Sequence, residues 1–203
     1  MAKTIAIGIQ NFSELIQKNL FYIDKTAFIR EWWENEDSVT LITRPRRFGK
    51  TLNMSMVEQF FSLNYAENGN AFEGLSIWET GKNRKLQGTY PVISLSFANV
   101  KETCFTEARK SICRMIEEQY NKYDFLLTTD LLNEKERAFY QEVTSTMSDS
   151  TAFAAVRMLS GFLYRLYKKN AIILLDEYDT PMQEAYISGY WDELVSFMRA
   201  FFT

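Results

Sequence analysis

The chain has 203 residues, of which 46% are hydrophobic and 24% are charged, a composition typical of a folded globular protein rather than a disordered one. Its formal net charge of −3 provides no global basic field that would attract nucleic acid. The chain contains no histidine, which excludes Ser-His-Asp catalysis, histidine-ligated zinc sites and a histidine-based pH switch near neutrality.

The first predicted elements are a strand, a loop and a helix. Val39–Thr43 is a short apolar run with β-branched residues, which predicts a buried strand. Pro45 and Gly49 mark a turn region directly after this run. Apolar residues at helical spacing then predict a helix over Lys50–Leu63.

The middle of the chain predicts one more strand and three helices. Pro91–Phe97 is the strand, and Phe105–Tyr123 carries the apolar stripe of an amphipathic helix. Glu134–Met147 is a more polar helix. A fourth segment, a helix capped by Asp149 or Ser150, runs to about Lys169, and Asn170 is expected to adopt the left-handed conformation that ends it.

The last part of the chain contains its most apolar strand. Ala171–Leu175 shows no alternation, which predicts a central parallel strand covered on both faces. A helix over Trp191–Phe202 follows. Because strands alternate with helices along the chain, the sequence predicts an α/β fold with a parallel sheet flanked by helices.

Cysteine usage and hydropathy indicate the compartment. Cys104 and Cys113 are nine residues apart in a helical pattern, on opposite faces, so they cannot pair within one helix. No segment approaches the roughly 20 apolar residues of a membrane span, and residues 1–10 do not resemble a signal peptide. We therefore expect a reduced, cytoplasmic protein without a membrane partner.

The segment after the first predicted strand matches most of a phosphate-binding loop. Gly49-Lys50-Thr51 supplies the last three positions of the pattern G-x-x-x-x-G-K-[ST], whereas Arg44 replaces the first glycine. Gly49 lets the backbone approach phosphate oxygens, Lys50 brings positive charge to the β- and γ-phosphates, and Thr51 offers a hydroxyl to Mg²⁺. The predicted nucleotide-binding residues are Arg44, Pro45, Arg46, Arg47, Phe48, Gly49, Lys50, Thr51 and Leu52. The alternative is an ordinary strand-to-helix turn with solvated basic side chains.

Two acids follow the most apolar strand. Leu174-Leu175-Asp176-Glu177 has the Walker B pattern, in which apolar residues precede Asp and Glu. Ligands gather at the carboxyl ends of parallel strands, so Asp176 is expected to hold Mg²⁺ and Glu177 to polarise the attacking water. The alternative is a strand that ends in solvated acids. The order of the two motifs, phosphate loop first, favours a joint nucleotide site.

A third motif, Asn121-Lys122-Tyr123-Asp124, matches the N-K-x-D guanine-specificity pattern of GTPases. It lies at the end of a predicted helix, before the acidic strand, whereas in GTPases it follows that strand. No D-x-x-G switch motif accompanies it. We interpret it as a helix end and predict ATP rather than GTP as the nucleotide.

Several segments, in this order, resemble the bacterial AAA-ATPase-like family of P-loop proteins. The most distinctive is Thr43–Leu52, in which the arginine at the first loop position is typical of the family. The others are Ile9–Phe12, Phe21–Thr26, Phe72–Leu75, Tyr90–Ile93 and Leu175–Pro181. The similarity covers nearly the whole chain and implies an ATPase of the additional-strand class.

The resemblance has further implications for partners and for individual residues. Members often carry a restriction-endonuclease-like nuclease domain further along the chain, so a downstream domain or a protein partner is expected. In related ATPases, the segment corresponding to Tyr22–Thr26 lies near the adenine; core packing of Phe21 and Tyr22 is the alternative. For Arg46 and Arg47, a role near the phosphates is the alternative to a solvated or partner-facing role, and the latter is favoured.

In the additional-strand class, a strand with a polar sensor residue follows the acidic strand in sequence. Here one predicted helix follows it, so we expect residues 1–203 to be the N-terminal portion of a single AAA-like P-loop ATPase domain, incomplete at its C-terminus. Two functions stay open: a Mg²⁺-dependent ATPase that acts as a switch or motor, favoured by Glu177, and a nucleotide-binding interaction module that does not hydrolyse ATP. The sequence leaves oligomeric state and physiological substrate undecided.

Overall fold

The computed structural model describes residues 3–5, 8–43, 48–79 and 81–201. The chain forms two compact units, Met1–Val92 and Ile93–Thr203, which we call the first and the second unit. Among the described residues, no helix combines the length and the apolar character that crossing a membrane requires.

The first unit contains three helices and three 3₁₀ segments among its described residues. The helices are α1 (Phe12–Gln17), α2 (Ala27–Asn35) and α3 (Lys50–Phe61). The 3₁₀ segments Leu63–Phe72, Ser76–Trp78 and Lys82–Leu86 follow α3. Helix α1 begins after Asn11, whose side chain accepts a hydrogen bond from the backbone N–H of Glu14 and so satisfies one of the free donors of the first turn.

The core of the first unit is aromatic. Phe12 of α1 stacks on Phe72 with ring centroids 4.9 Å apart, and Phe60 of α3 meets Phe72 edge-on at 5.2 Å. All three rings are fully buried. The side-chain oxygen of Gln59 accepts a hydrogen bond of 2.8 Å from the N–H of Ser13, which ties α1 to α3. These contacts fix α3, the helix that begins with Lys50 and Thr51.

The second unit contains the parallel strands and the longer helices. Strand β1 (Val92–Ser96) begins at the unit boundary and pairs with β2 (Ile172–Asp176). The N–H of Phe97 donates to the carbonyl of Asp176 at 2.9 Å, so both strands end at the same edge of the sheet. The helices are α4 (Phe105–Asn121), α5 (Glu134–Glu142), α6 (Asp149–Tyr167), α7 (Thr180–Ser188) and α8 (Trp191–Phe201), and a 3₁₀ segment, Asp124–Thr128, follows α4.

Apolar side chains from β1, α4, α6 and α8 build the core of the second unit. Ile93, Ile112, Leu159 and Leu194 are members of one buried cluster and contribute one residue from each of these elements. The α/β architecture and the parallel pairing that the sequence predicts are confirmed. Strands β1 and β2 and helices α4, α6 and α8 begin and end within about two residues of their predicted limits, because the apolar run or stripe of each is complete within one segment.

The predicted strand Val39–Thr43 is wrong. These residues form neither a strand nor a helix, and Val39 and Leu41 are 88% and 63% exposed. A strand needs a neighbour that satisfies its backbone donors and acceptors. Within the described residues, the sheet consists of β1 and β2 alone, and neither pairs with this segment.

The prediction that Ala171–Leu175, the segment that forms β2, is covered on both faces is also wrong. Ile173 of β2 is 45% exposed, whereas its neighbour Leu174 is buried, so this strand has one covered face. Among the described residues, β2 pairs with β1 alone. The apolar composition of Ala171–Leu175 therefore does not indicate a central position in a larger sheet.

Three helix limits also differ from the prediction. The polar helix α5 ends at Glu142 rather than Met147. Ser148, and not Asp149 or Ser150, caps α6 by accepting a hydrogen bond from the N–H of Thr151. Lys168, with a φ of 55°, takes the left-handed position predicted for Asn170. Cap residues are set by local geometry, and several polar residues in a row make the sequence ambiguous there.

Candidate functional site

The phosphate-loop motif lies at the start of α3 in the first unit. Gly49 precedes the helix with a φ of 78°, a left-handed conformation that glycine adopts without the clash a Cβ would cause. Its carbonyl accepts the N–H of Asn53 at 2.9 Å, which starts the helical hydrogen bonding. Phe48 is exposed. The predictions for Arg44, Pro45, Arg46 and Arg47 lie outside the described residues.

Lys50, Thr51 and Leu52 form the first turn of α3, and each is half-buried. Gly49, the residue before the helix, provides no side-chain cap, and the first turn, Lys50–Leu52, contains no acid. The N–H groups of a first helical turn have no intrahelical partner, and the helix dipole makes this end positive. This end of α3 therefore has the geometry and the charge of an anion-binding site.

Tyr22 belongs to the core of the first unit. Its hydroxyl donates to Sδ of Met56 at 3.2 Å and accepts the N–H of Lys25 at 3.2 Å, and its ring meets that of Phe12 edge-on at 5.5 Å. Burial, aided by the charge of Asp24 and opposed by the Lys25 N–H, raises the pKa of Tyr22 to about 12. Tyr22 therefore packs against the core of the first unit, whereas Phe21 is half-exposed, and the place of this segment near the adenine stays a prediction.

Asp24 ties the segment before α2 to the 3₁₀ segment Ser76–Trp78. Its carboxylate accepts the N–H of Thr26 at 2.8 Å, the hydroxyl of Thr26 at 2.7 Å and the N–H of Ser76 at 2.7 Å. Partial burial raises the pKa of Asp24, but the hydrogen bonds from Ser76 and Thr26 outweigh it, so that the pKa lies below its usual value. The ionised carboxylate is therefore a fixed part of this turn.

Lys25 is a residue near the loop that the sequence did not assign. Its Nζ lies 3.6 Å from the position that a Cβ on Gly49 would occupy. Lys25 belongs to the segment Tyr22–Thr26, which the family resemblance associates with the adenine. A basic side chain close to a left-handed glycine is a tertiary contact, and no local pattern predicts it.

The acidic pair lies in the second unit, where β2 ends. Asp176 is the last residue of the strand, and Glu177 follows with a φ of 51°. Oε2 of Glu177 accepts a hydrogen bond of 3.1 Å from the hydroxyl of Thr180, a residue the sequence analysis did not single out. The predicted position of both acids at the carboxyl end of a strand is confirmed, and both are half-buried.

The predicted site residues thus form two groups, each within one unit. Gly49, Lys50, Thr51 and Leu52 belong to the first unit, and Asp176 and Glu177 belong to the second. Among the described residues, no group of three or more His, Cys, Asp or Glu side chains is arranged to hold a metal. A metal at either group would need oxygen ligands from a bound nucleotide or from water.

The N-K-x-D match is a helix end, as the sequence analysis interprets it. Asn121 is the last residue of α4, and Lys122 donates to the side chain of Gln119 at 3.3 Å. Tyr123 is buried, and its N–H donates to the carbonyl of Tyr120 at 2.8 Å. Asn121 therefore ends the helix, and Tyr123 packs into the core.

Two comparisons with known proteins found similar sequences. The profile of a family described as predicted AAA-ATPase, AAA-ATPase-like, matches residues 6–203. The uncharacterized protein in the vnfD 5′ region of Azotobacter chroococcum mcd 1 is 25% identical over 184 residues, which cover 89% of this chain and 30% of that protein. The chain therefore spans less than a third of the length of that relative. No solved structure matches the chain.

Proposed function

The chain belongs to the AAA-ATPase-like family, and we propose that it is a P-loop protein of the additional-strand class that binds ATP at the start of α3. The observation that carries this proposal is the left-handed Gly49, with a φ of 78°, directly before Lys50 and Thr51 in the first turn of the helix. A glycine in this conformation leaves the first N–H groups of the helix accessible to an anion.

In this proposal, the protein binds ATP mainly through the phosphates. The free N–H groups at the start of α3 donate to phosphate oxygens at the positive end of the helix dipole. Lys50 contributes a positive charge at the β- and γ-phosphates, and the hydroxyl of Thr51 is available to Mg²⁺. The metal, when bound, neutralises phosphate charge and orients the γ-phosphate.

Asp176 and Glu177 are the residues we propose for metal binding and hydrolysis. Mg²⁺ at nucleotide sites usually takes one or two carboxylates together with phosphate oxygens and water, which fits the single aspartate at the end of β2. Asp176 would hold the metal through water, and Glu177 would accept a proton from the attacking water. The order of the two motifs in the chain and the family membership support this part of the proposal.

A second candidate is a module that binds ATP without hydrolysing it. Oε2 of Glu177 already accepts the hydroxyl of Thr180, so this oxygen has a hydrogen-bond partner within the protein. ATP occupancy would then regulate a protein partner or a downstream domain. Because the chain spans 30% of its relative, the switch or motor role and any nuclease-like domain are proposals about a whole protein.

Fluorescent ATP binding tests the first proposal. Lys50→Ala removes a charge-assisted contact of about 1.5–3 kcal/mol and should weaken ATP binding about 10- to 100-fold. Lys85→Ala, an exposed lysine of the first unit outside the loop, is the matched control and should bind as the wild type does. Equal affinity of the wild type and Lys50→Ala would show that the loop does not bind ATP.

Phosphate release separates the two candidates. If the protein hydrolyses ATP, the wild type releases phosphate in the presence of Mg²⁺, and Glu177→Gln stops release while ATP binding persists, because the amide cannot accept the proton. If the wild type binds ATP and releases no phosphate, the non-hydrolysing module is the correct function.

A further inference from the structure

We propose that Lys25 is a second cation for the phosphate chain of the bound nucleotide, beside Gly49. This inference rests on the proposed ATP site and adds to it a residue that lies outside the loop motif. The ligand chemistry it names is a polyphosphate, and Lys25 would bind the phosphate part of the nucleotide rather than the adenine.

The position of the ammonium group is the first argument. Nζ of Lys25 lies 3.6 Å from the position that a Cβ on Gly49 would take. Standard backbone geometry then puts Nζ no more than about 6 Å from the amide nitrogen of Gly49. This spacing accommodates a phosphate oxygen that accepts from the N–H on one side and from the ammonium on the other, since each such bond is about 2.7–3.2 Å long.

The charge balance is the second argument. Within the described residues, neither the Lys25 nor the Lys50 ammonium forms an ion pair or a hydrogen bond, and the first turn of α3 contains no acid. Lys18 of the same unit, by contrast, pairs with Glu14 at 2.6 Å. Two cations at the positive end of a helix are unfavourable on their own, and a bound anion reverses that balance.

The fixed backbone around Lys25 is the third argument. On one side, the Tyr22 hydroxyl accepts the N–H of Lys25 at 3.2 Å, and on the other, Thr26 is fully buried. Among the described residues, Asp24 is not paired with Lys25, and its oxygens accept two N–H groups and a hydroxyl instead. Lys25 is thus an exposed side chain on an anchored segment, which limits the entropy lost when it binds a ligand.

Binding of ATP, ADP, AMP and inorganic triphosphate to the full chain tests this proposal. Lys25→Ala should weaken ATP and triphosphate binding about 3- to 30-fold and AMP binding less than about 2-fold, because the lost contact is to the phosphate chain. Lys25→Arg should restore ATP binding to within about 3-fold of the wild type. Lys85→Ala, exposed in the same unit, controls for net charge and should leave all four affinities unchanged.

The variants also separate this proposal from the proposed function. If Lys50→Ala weakens ATP binding and Lys25→Ala does not, the inference about Lys25 is wrong and the ATP site stands. If neither variant weakens ATP binding, the ATP site itself is wrong, and the inference fails with it. An equal loss of AMP and ATP binding in Lys25→Ala overturns the phosphate assignment, and so does an equal loss of thermal stability in Lys25→Ala and Lys25→Arg without ligand.

Discussion

The hydroxyl of Thr180 donates a hydrogen bond of 3.1 Å to Oε2 of Glu177, and the N–H of Thr180 donates one of 2.9 Å to the carbonyl of Glu177. Glu177 has a φ of 51°, a left-handed conformation that costs a residue with a side chain about 1–2 kcal/mol. Thr180 is buried at the start of α7. The direction of the Glu177 carboxylate is therefore set by a buried threonine one turn further along the chain.

Replacing Thr180 tests whether this bond positions a catalytic group. If Glu177 orients the attacking water, Thr180→Val should lower kcat for ATP hydrolysis about 10-fold and leave KM within about 2-fold, because the carboxylate loses its fixed direction while ATP binding is retained. Thr180→Ser keeps the hydroxyl and should keep kcat within about 3-fold of the wild type. Steady-state phosphate release measures both parameters, and a wild-type kcat in Thr180→Val would contradict the positioning role.

Gly49→Ala tests the backbone conformation at the proposed phosphate site. A Cβ at this position would meet the Lys25 Nζ at 3.6 Å, an ordinary contact, so the cost comes from the φ of 78°. We expect a loss of about 1–2 kcal/mol in the free energy of unfolding, measured in urea. Gly161→Ala, in the interior of α6, is the matched control, because a Cβ at this position would contact no neighbouring side chain or other element within 4 Å. This change should stabilise the protein by about 0.5–1 kcal/mol. Equal effects of the two variants would show that Gly49 is not left-handed in solution.

The sequence predicts those elements whose pattern is complete within one segment. The apolar stripe of Phe105–Tyr123 and the apolar run at Ala171–Leu175 each contain enough periodicity or length to identify α4 and β2. The two acids are placed correctly because they follow directly on β2 in sequence. Val39–Thr43 has the composition of a strand, but strand formation depends on a partner elsewhere in the chain, and composition does not provide one.

The remaining site features depend on contacts between distant or unusual positions. Lys25 approaches Gly49 because α1, α2 and α3 pack around an aromatic core, and this packing is not encoded in the motif G-K-T itself. The hydrogen bond from Thr180 to Glu177 depends on the left-handed backbone at Glu177, which sequence patterns assign to glycine or asparagine. Sequence therefore identifies which residue types carry the chemistry, and tertiary structure identifies which neighbours position them.

The hydrogen bonds to Asp24 predict that the free energy of unfolding decreases at acidic pH. Because the pKa of Asp24 is lowered in the folded state, its contribution is present above the unfolded pKa of about 4 and is lost as the pH falls through the lower folded value. Asp24→Asn should cost about 1 kcal/mol at pH 7, a modest figure because the carboxylate is exposed. Urea unfolding should show this difference shrinking below about pH 4. Asp37→Asn, an exposed acid of the same unit, is the control and should change stability by less than about 0.5 kcal/mol at either pH.

Two buried tyrosines, Tyr120 and Tyr140, are expected to stabilise the core of the second unit through their hydroxyl groups. The hydroxyl of Tyr120 donates to the carbonyl of Ala155 at 2.7 Å, and that of Tyr140 donates to the carbonyl of Tyr120 at 2.6 Å. Tyr120→Phe and Tyr140→Phe each remove one buried hydrogen bond, although the Tyr120 carbonyl keeps the N–H of Tyr123, and should each cost about 0.5–1.5 kcal/mol in the free energy of unfolding. Tyr164→Phe, on the exposed side of α6, should cost less than about 0.5 kcal/mol.

The same tyrosines make the stability of the second unit depend on pH in the alkaline range. Burial raises the pKa of both hydroxyls above the ordinary value near 10, with a further contribution from Tyr140 at Tyr120 and from Asp124 at Tyr140. Their contribution to stability is complete below the unfolded pKa and is lost as the pH rises toward the folded values, since the unfolded state then releases protons that the folded state keeps. Urea unfolding between pH 8 and 11 should therefore show a decline above about pH 10 that is smaller in Tyr120→Phe than in the wild type. An identical decline in both proteins would show that Tyr120 ionises equally in the folded and unfolded states, and would place its hydroxyl in contact with water.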